Sequence, residues 1–495
     1  MKKLGGLLSL VCLSFSLLAQ STEVAETVAE SVQPADVEER LRFLAADELR
    51  GRDTGSPELA IAARYLAEQF RRYGLDTVPG AGNYFQPVKL VSERPPAQAT
   101  LAYPEQTFDL VSDLLVLSGD SVDVEAPIVY ANYGTDDDLD AVDVEGKIVV
   151  TKAGEEGMTN PQSFFFVTGS KRDRVASRGG RALVELYRSN QAPWSLLVQY
   201  LNAEQLTLGT PDDSSAQDIP LLWLNDPKGE RLTLSQEMDQ PATLRISGKN
   251  SQDVPAKNVV AMVEGTDPTL KDEYLVLSAH YDHIGTGPSP DPTDSIYNGA
   301  RDNGIGTTAL LSAAHYFGQH PPKRSVLFIA LTAEEKGLLG SAWYAAHPLI
   351  PLKQTVFNFN TDGAGYDDTT KVTAIGLERT TAEAAITTAS AAFELEATVD
   401  PVPEQNLYDR SDNVSFAQVG VPAVNFAPGM TSFGPEIMQN YHQVSDEVGT
   451  LNFAYVEKYC EAYTLAAVQI ANMEETPFWK EGDKYEEAGK ALYGK

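Results

Sequence analysis

The sequence predicts an α/β fold, in which a mixed sheet is sandwiched by helices and interrupted by an inserted β-rich α+β module. Strand and helix signals alternate in the second half of the chain, up to about Met473. Between residues 118 and 249 the pattern changes to short β-like runs. Because long apolar strands return at Asn258, the module interrupts one α/β domain rather than following it. A chain of 495 residues exceeds one ordinary domain, which agrees with this division.

The first residues have the pattern of a secretory signal peptide. Lys2 and Lys3 precede an apolar stretch from Leu4 to Leu18, and Ala19-Gln20-Ser21 supplies the small residues of a cleavage region. We therefore expect residues 1–20 to be removed and the protein to be exported. The alternative is an N-terminal membrane anchor, but the stretch is shorter than the ~20 apolar residues that a spanning helix needs. No stable membrane insertion is expected after cleavage.

The net charge and the cysteine content indicate which classes of binding partner and which cellular compartment to expect. The formal net charge of −32 argues against nucleic acid or an anionic membrane as a partner. An acidic, solvated surface explains this charge without any specific cationic partner. Outside the signal region Cys460 is the only cysteine, so no internal disulfide can form. This favours the bacterial periplasm or medium over a eukaryotic secretory route.

The first part of the α/β domain is assigned to residues 36–117. Ser56-Pro57 opens an amphipathic helix that Gly74 closes, because a capping serine, a proline at the first helical position and a glycine after the last turn are typical of helix ends. The apolar residues of this helix recur at helical spacing. We expect them to pack in the core, with no part in function.

The inserted module is assigned to residues 118–249. It contains strand-like runs bounded by turn residues, at 126–134, 146–152 and 219–224. Between them Arg172 to Tyr187 has a helical composition that Gly179-Gly180 interrupts, as at a helix that ends before a strand. The module is therefore predicted to be mixed. Residues 250–475 form the second part of the α/β domain and 476–495 a C-terminal tail.

Three apolar runs within residues 250–475 lead directly into polar residues. The runs are Tyr274–Ala279, Ser325–Leu331 and Thr355–Asn360, and each has the length and composition of a buried parallel strand. Ligand crevices of open α/β sheets lie beyond the carboxyl ends of the strands. We therefore expect the acidic and imidazole side chains after these runs to converge at one edge.

His280 is predicted to bind a metal ion. Asp282 lies two residues further on at the same strand end, where alternate side chains share a face, so its carboxylate can hold the imidazole in the metal-binding tautomer. The competing interpretation is an ordinary core or surface histidine, which is the more common role of a lone histidine. The same alternation places His283 on the opposite face, where we expect it to bind nothing.

Asp302 and the pair Glu334-Glu335 are predicted to complete the centre. Asp302 stands among glycines, just before a small-residue helix that starts near Thr307. It is either a simple helix cap or a carboxylate that bridges two cations, and the glycines that keep backbone out of the way favour the bridge. Two adjacent carboxylates in one crevice repel unless their roles differ. We assign Glu335 to the metal and Glu334 to proton transfer, with an exposed pair at a helix start as the alternative.

Asp362 and His442 are predicted as terminal ligands. Glycines after Asp362 leave room for its carboxylate, and His442 has a further carboxylate nearby at Asp446. With Asp302 as the bridge, His280 and Asp362 belong to one cation and Glu335 and His442 to the other. Two nitrogen donors with carboxylates suit zinc best, and cobalt or manganese can substitute.

These motifs resemble those of the two-zinc metallopeptidases of family M28, of the aminopeptidase Y and S type. The resemblance rests on Ser278-Ala-His-Tyr-Asp-His, Gly299-Ala-Arg-Asp-Asn-Gly, Thr332-Ala-Glu-Glu, Asn360-Thr-Asp and Tyr441-His. With the opening Leu41-Arg-Phe-Leu-Ala-Ala-Asp-Glu-Leu-Arg-Gly-Arg, which is similar to the N-terminal signature of secreted bacterial members, it spans most of the chain. It implies a zinc-peptidase-like sheet, two zinc ions, Glu334 as general base and removal of N-terminal residues from peptides. The inserted module is similar to a protease-associated domain, with an implied role in substrate access or binding.

One segment departs from the family pattern and several functions stay open. The resemblance implies a substrate-proximal loop at Arg410–Phe416, but Asn413 stands where related chains often carry a His or Tyr that assists the oxyanion. A carboxypeptidase or dipeptidase on the same scaffold would need a cationic subsite, for which Arg301 and Arg410 are candidates. A glutaminyl cyclase would use one metal ion. A non-catalytic receptor-type protein would lack ligands that this chain retains.

Overall fold

The computed structural model describes residues 22–158, 161–189, 191–209, 219–237, 240–248, 250–290 and 292–494. The expected signal peptide lies outside this part of the chain. The chain divides into two compact units, one formed by residues up to Lys89 together with Pro255–Lys495 and the other by Leu90–Val254. The second unit therefore begins well before the boundary expected at residue 118. No described helix is long and apolar enough to cross a bilayer.

The first unit is built on a mixed sheet whose centre is parallel. Its strands are β1 (Phe85–Arg94), β11 (Asn250–Val263), β12 (Tyr274–His280), β13 (Ser325–Leu331), β14 (Thr355–Thr361), β15 (Lys371–Ile375), β16 (Glu396–Thr398) and β17 (Ala423–Pro428). Only residues 85–89 of β1 and 255–263 of β11 belong to this unit. They lie in the order β16-β15-β17-β14-β12-β13-β11-β1. Strands β13, β12, β14 and β17 run parallel, whereas β11 is antiparallel to β13 and β15 is antiparallel to β17.

Helices cover both faces of this sheet. Its helices are α1 (residues 22–31), α2 (Pro34–Leu44), α3 (Pro57–Arg72), α8 (Gly306–Gln319), α9 (Leu339–Ala346), α10 (Glu383–Ala392), α11 (Asn413–Gln418), α12 (Pro435–Met438), α13 (Phe453–Ala471) and α14 (Glu486–Tyr493). On one face α2, α3, α8, α10 and α13 pack over alternate strand residues such as Leu275 and Phe328. On the other face Val276 and Leu327 belong to a separate apolar layer with residues of α9 and α11.

The central strands and the early helix agree with the expectations from sequence. Each of the three apolar runs is a fully or almost fully buried strand, and β12 pairs in parallel with both β13 and β14. Helix α3 begins at Pro57, and the Ser56 hydroxyl accepts a hydrogen bond from the Leu59 amide at 3.0 Å. The predicted cap is therefore present. Burial of the apolar stripe of α3 fixes this helix against the sheet.

The last residues are more than a tail. Trp479 is buried, and its indole N–H donates to the Gly420 carbonyl at 3.1 Å. Arg379 pairs with Asp483 and lies over the ring of Tyr485. The tail expected at 476–495 thus contributes its helix α14 and two aromatic side chains to the first unit. Short, mixed segments such as this one lack the long apolar period by which a packed element is recognised.

The second unit contains its own mixed sheet. Its strands lie in the order β3-β2-β10-β5-β6-β7-β9-β4, and they are β2 (Gln98–Ala102), β3 (Thr107–Asp109), β4 (Leu114–Ser118), β5 (Val122–Tyr130), β6 (Ile148–Lys152), β7 (Ala182–Tyr187), β9 (Leu221–Asn225) and β10 (Pro241–Ser247). Strand β8 (Gln205–Leu208) pairs with residues 90–93. The helices are α4 (Asp136–Asp140), α5 (Pro161–Ser177), α6 (Trp194–Leu201) and α7 (Glu230–Glu237). The unit is mixed, as the sequence indicates.

A buried ion pair makes the second unit sensitive to single substitutions. Lys171 of α5 and Glu185 of β7 are fully buried, with 2.6 Å between Nζ and Oε1, and the Trp223 indole donates to the other Glu185 oxygen. We expect Lys171→Met to destabilise the chain by about 3–5 kcal/mol, because it leaves a carboxylate buried without its cation. Urea unfolding of the full chain measures this loss.

The control is an exposed pair on the same sheet. Arg245 and Asp123 are 3.2 Å apart with most of both side chains in solvent, so Arg245→Met should hardly change the unfolding midpoint. Replacing both buried partners, as Lys171→Met with Glu185→Leu, should recover much of the loss. Equal midpoints for Lys171→Met and Arg245→Met would contradict the assigned role of the buried pair.

Candidate metal centre

The parallel strands bring the predicted ligands to one edge of the sheet. His280 is the last residue of β12, Asp362 directly follows β14, and Glu334 and Glu335 follow β13 after a short turn. Strands β13, β12 and β14 are neighbours and run in the same direction. Their carboxyl ends therefore meet, and the side chains that leave them share one crevice.

Asp302 lies between the two histidines. Its Oδ1 is 3.3 Å from Nε2 of His280, and its Oδ2 is 3.3 Å from Nε2 of His442. The side chain is only 6% exposed. One buried carboxylate therefore faces both imidazoles, with one oxygen for each.

The remaining donors divide into two groups around Asp302. Near His280, Asp362 places Oδ1 3.0 Å from the imidazole Nε2, and Glu334 belongs to the same group. Near His442, Glu335 places Oε2 3.2 Å from the imidazole Nε2. Within each group the potential ligand atoms lie within 4.8 Å of one another. Each group is thus small enough to surround a single ion.

The chemistry of these groups fits divalent zinc. Each offers an imidazole nitrogen and carboxylate oxygens, which are the ligands that zinc prefers when the sulfur of cysteine is absent. Asp302, Glu334, Glu335 and Asp362 also place four carboxyl groups in one mostly buried crevice. Like charges at such distances are costly unless cations or protons compensate them.

The two adjacent glutamates differ in their electrostatics. Burial raises the pKa of Glu334 well above its usual value; the His280 imidazole opposes this effect, and the Asp362 carboxylate adds to it. Burial and the neighbouring Asp302 also act to raise the pKa of Glu335, but hydrogen bonds from His283 and His442 outweigh them and lower it to about 2. Glu335 is therefore held as a carboxylate, whereas Glu334 binds a proton readily.

The loop that carries Asp302 is anchored by Asp446. The Asp446 carboxylate accepts hydrogen bonds from the backbone amides of Arg301 at 3.0 Å and Asp302 at 3.2 Å, and it pairs with the Arg301 guanidinium at 3.1 Å. Gly299 has φ 62°, and a Cβ there would come within 2.7 Å of the His283 ring. The glycine is therefore required by both the backbone conformation and the close approach of the ring.

Asp282 acts on the glutamates rather than on the imidazole. Its carboxylate lies 3.9 Å from His280 Nδ1, which is too far for a hydrogen bond, and the imidazole nitrogen instead lies 3.2 Å from the Asp282 backbone carbonyl. The carboxylate accepts from the amides of Glu334 at 3.1 Å and Glu335 at 3.3 Å and from the Thr54 hydroxyl at 3.1 Å. The predicted contact of Asp282 is thus replaced by one that orients the turn after β13.

The prediction that His283 points away from the centre is wrong. Its side chain is fully buried in the centre, and Nδ1 lies 2.7 Å from Glu335 Oε1. The prediction assumed that strand alternation continues beyond His280, but β12 ends at that residue. Past a strand end the period of two no longer determines which way a side chain points. His283 therefore lies beside Asp302, Glu335 and His442.

A cavity with one apolar wall adjoins the carboxylates. Tyr441 and Arg410 line it together with Asp302, Glu334, Glu335, Asp362 and His442. The apolar part of the lining consists of Ile375, Leu407, Ala427, Pro428, Met430 and Phe433. An apolar surface next to the donors offers space for an uncharged side chain of a bound molecule. Sequence reasoning missed this wall because its residues come from three separate segments of the chain.

The two candidate arginines have different surroundings. Arg301 is buried and bonded to Asp446, to the Thr450 hydroxyl at 2.7 Å and to the Thr450 carbonyl at 3.1 Å, so its guanidinium is occupied within the protein. Arg410 lines the cavity and lies over the Phe433 ring, 5.9 Å from its centroid. Among the described residues no carboxylate forms an ion pair with Arg410.

Asn413 does not reach the cavity in this structure. It is buried, and its amide nitrogen donates to the Tyr408 carbonyl at 3.0 Å. Within the same segment Ser411 hydrogen-bonds to Asp362 and lines the cavity. Arg410 and Ser411 of the Arg410–Phe416 segment therefore line the cavity. Asn413 instead holds the backbone of this segment through its hydrogen bond to Tyr408.

Known proteins resemble this chain in sequence and in fold. Residues 258–465 match peptidase family M28. Aminopeptidase YwaD of Bacillus subtilis (strain 168) is 25% identical over 336 residues, which cover 65% of this chain and 69% of that protein. The vacuolar membrane protease of Saccharomyces cerevisiae (strain ATCC 204508 / S288c) is 33% identical over 141 residues, only 13% of its length and 28% of this chain. The structure of an aminopeptidase from Aneurinibacillus sp. strain AM-1 superimposes with a TM-score of 0.56 at 20% identity, covering 91% of this chain and 97% of that one. This last similarity extends the shared fold to nearly the whole chain.

Proposed function

Because residues 258–465 match peptidase family M28, we propose that the protein is an exported aminopeptidase that uses two zinc ions. The observation that carries the two-ion proposal is the position of Asp302, whose two oxygens face His280 and His442 at 3.3 Å each. A single-ion site has no need of a carboxylate that reaches both imidazoles. The sequence similarity to an aminopeptidase supports the reaction type.

We assign the ligands on this basis. His280 and Asp362 would hold one ion, Glu335 and His442 would hold the other, and Asp302 lies where it would serve both. When bound, paired zinc ions lower the pKa of water and polarise the scissile carbonyl. Cobalt or manganese can take the same places, since the donors are nitrogen and oxygen atoms.

Glu334 is the proposed general base. Its carboxylate removes a proton from the attacking water and later donates that proton to the leaving amine. The raised pKa that burial gives Glu334 suits a group that must hold a proton between these two steps. Asp282 fixes the turn that carries this residue, because it accepts the amide hydrogen of Glu334. Asp282 is therefore a positioning residue for the base.

A substrate panel tests the proposed activity. Aminoacyl chromogenic substrates with a free amine are compared with their N-blocked counterparts, each with and without a chelator. We expect hydrolysis of the free-amine substrates only and its loss with the chelator. The apolar wall of the cavity also predicts a preference for uncharged residues at the cleaved position. Hydrolysis of blocked substrates alone would contradict the aminopeptidase assignment.

Arg410 is the observation that favours a second candidate, a dipeptidase or carboxypeptidase. A guanidinium at the cavity that has no carboxylate partner among the described residues can bind the C-terminal carboxylate of a short substrate. If this holds, Arg410→Gln should raise KM about tenfold or more for dipeptides and leave KM for C-terminally amidated substrates unchanged, since such charged hydrogen bonds contribute about 1.5–3 kcal/mol. Equal KM changes for both substrate classes would exclude this role.

Metal stoichiometry separates the third candidate. A glutaminyl cyclase on this fold would bind one ion and act on an N-terminal glutamine. Two zinc ions per chain, measured by elemental analysis of the purified protein, would favour the peptidase. Export remains part of the proposal through residues 1–20, and N-terminal sequencing of protein recovered from the periplasm or the medium tests it.

A further inference from the structure

We propose that His283 is a positioning residue that holds one oxygen of Glu335 and thereby leaves the other oxygen to bind metal. The inference rests on the proposed two-zinc site, but it concerns a residue outside the ligand assignment above. It replaces the expectation that His283 has no part in the centre. Its basis is the contact of 2.7 Å between His283 Nδ1 and Glu335 Oε1.

The two oxygens of Glu335 have different partners. Oε1 faces the His283 imidazole, whereas Oε2 lies 3.2 Å from Nε2 of His442. A carboxylate that accepts a hydrogen bond at one oxygen presents the other oxygen in a defined direction. The glutamate side chain has three rotatable bonds, so this restraint removes freedom that metal binding would otherwise have to remove.

The surroundings of His283 indicate a built contact. The side chain has no exposed surface, and its backbone amide donates to the Arg52 carbonyl at 3.1 Å. The ring fits against Gly299, where any larger residue would collide with it. Nε2 has no hydrogen-bond partner among the described residues. A buried nitrogen without a hydrogen-bond partner lowers the stability of the fold. If the ring only filled space, an apolar side chain would do so without that loss.

The geometry favours positioning over direct ligation. Nδ1 is engaged by Glu335, and the two nitrogens of an imidazole point in different directions. With Nδ1 carrying the proton, His283 donates to a group that must itself be ionised to bind a cation. This is the arrangement in which a neighbouring donor fixes a metal-binding carboxylate.

Two substitutions of His283 distinguish this role from packing. In His283→Asn the side-chain amide N–H reaches the place of Nδ1, whereas in His283→Gln it reaches the place of Nε2. Zinc is titrated into the metal-stripped full-length protein by calorimetry. We expect His283→Gln and His283→Ala to weaken one of the two binding events by about 10–100-fold and to leave the other unchanged. His283→Asn should bind both ions nearly as tightly as the wild type.

A third measurement shows whether the effect passes through Glu335. In a Glu335→Gln background, His283→Gln should cause no further loss of zinc affinity, because the oxygen it orients no longer carries the charge. A purely structural role predicts additive losses and equal weakening of both binding events. Either of those results, or wild-type affinity in His283→Gln, overturns the proposal. If His283→Ala does not fold, the comparison of Asn with Gln decides.

The experiment also separates this inference from the proposed function. Should the wild-type chain bind only one zinc ion, the two-zinc proposal fails. The effect of the His283 substitutions is then measured as the change in affinity for that single ion. A loss of affinity in His283→Gln that Asn restores still supports the positioning role, and no change still overturns it.

Discussion

Replacing Glu334 by glutamine is expected to lower kcat by about 10²–10⁴-fold while the protein keeps its full zinc content. The change removes the group that accepts a proton but keeps its size and its hydrogen-bonding shape. Zinc content should persist because Glu334 is not among the assigned ligands, although it lies in the group of donors around His280. Steady-state kinetics with an aminoacyl substrate, together with elemental analysis of the same sample, measure both quantities.

The direction of this effect follows from the environment of Glu334. Its carboxyl group lines the cavity beside Asp362 and is partly buried, and this burial favours its protonated form. Such a group takes a proton from water more readily than an exposed glutamate does. Glutamine can hold the water by a hydrogen bond but cannot accept the proton, which predicts a loss in kcat that exceeds the change in KM.

Two further variants complete the test of Glu334. Glu335→Gln should lose zinc as well as activity, since Glu335 is assigned to an ion. Glu404→Gln, on the surface of the same unit, should leave kinetics and zinc content at wild-type values. Turnover of Glu334→Gln close to that of the wild type would dismiss the residue as base. Loss of zinc from this variant would reassign it as a ligand.

The strand-end ligands could be predicted from sequence because two independent regularities agree there. Apolar runs of strand length identify β12, β13 and β14, and parallel strands present their carboxyl ends at one edge. His280, Glu335 and Asp362 follow from these two regularities without any knowledge of long-range contacts. The glycines around Asp302 supply a comparable local signal.

The rest of the centre depends on contacts between distant parts of the chain. Asp446 bonds to Arg301 and Asp302 across more than 140 residues of sequence, and no local period reports such a pairing. His283 lies just beyond the end of its strand, where alternation gives no direction. The domain boundary near Leu90 was missed for a similar reason. The short strands β2 and β3 join the second sheet through β10, whose residues follow more than 130 positions later.

Asp302→Ala is expected to weaken both zinc sites together and to lower kcat/KM by about 10³-fold or more. The carboxylate contacts both imidazoles, so its removal leaves each ion with only two of its assigned protein ligands. Loss of several kcal/mol of metal-supplied transition-state stabilisation corresponds to about three powers of ten in rate. Zinc calorimetry and steady-state kinetics of the same preparation measure the two effects.

The matched control for Asp302 is a ligand that belongs to one ion. Asp362→Ala should weaken a single binding event, because Asp362 contacts His280 and lies outside the donor group around His442. Thermal unfolding gives a second readout of the same difference. At zinc concentrations near 100 times Kd, each occupied site stabilises the wild-type fold by about 2.7 kcal/mol. Zinc should therefore raise the Tm of the wild type strongly, that of Asp362→Ala partly and that of Asp302→Ala least. If Asp302→Ala loses only one ion, the carboxylate does not bridge, and the two sites must be rebuilt from separate ligands.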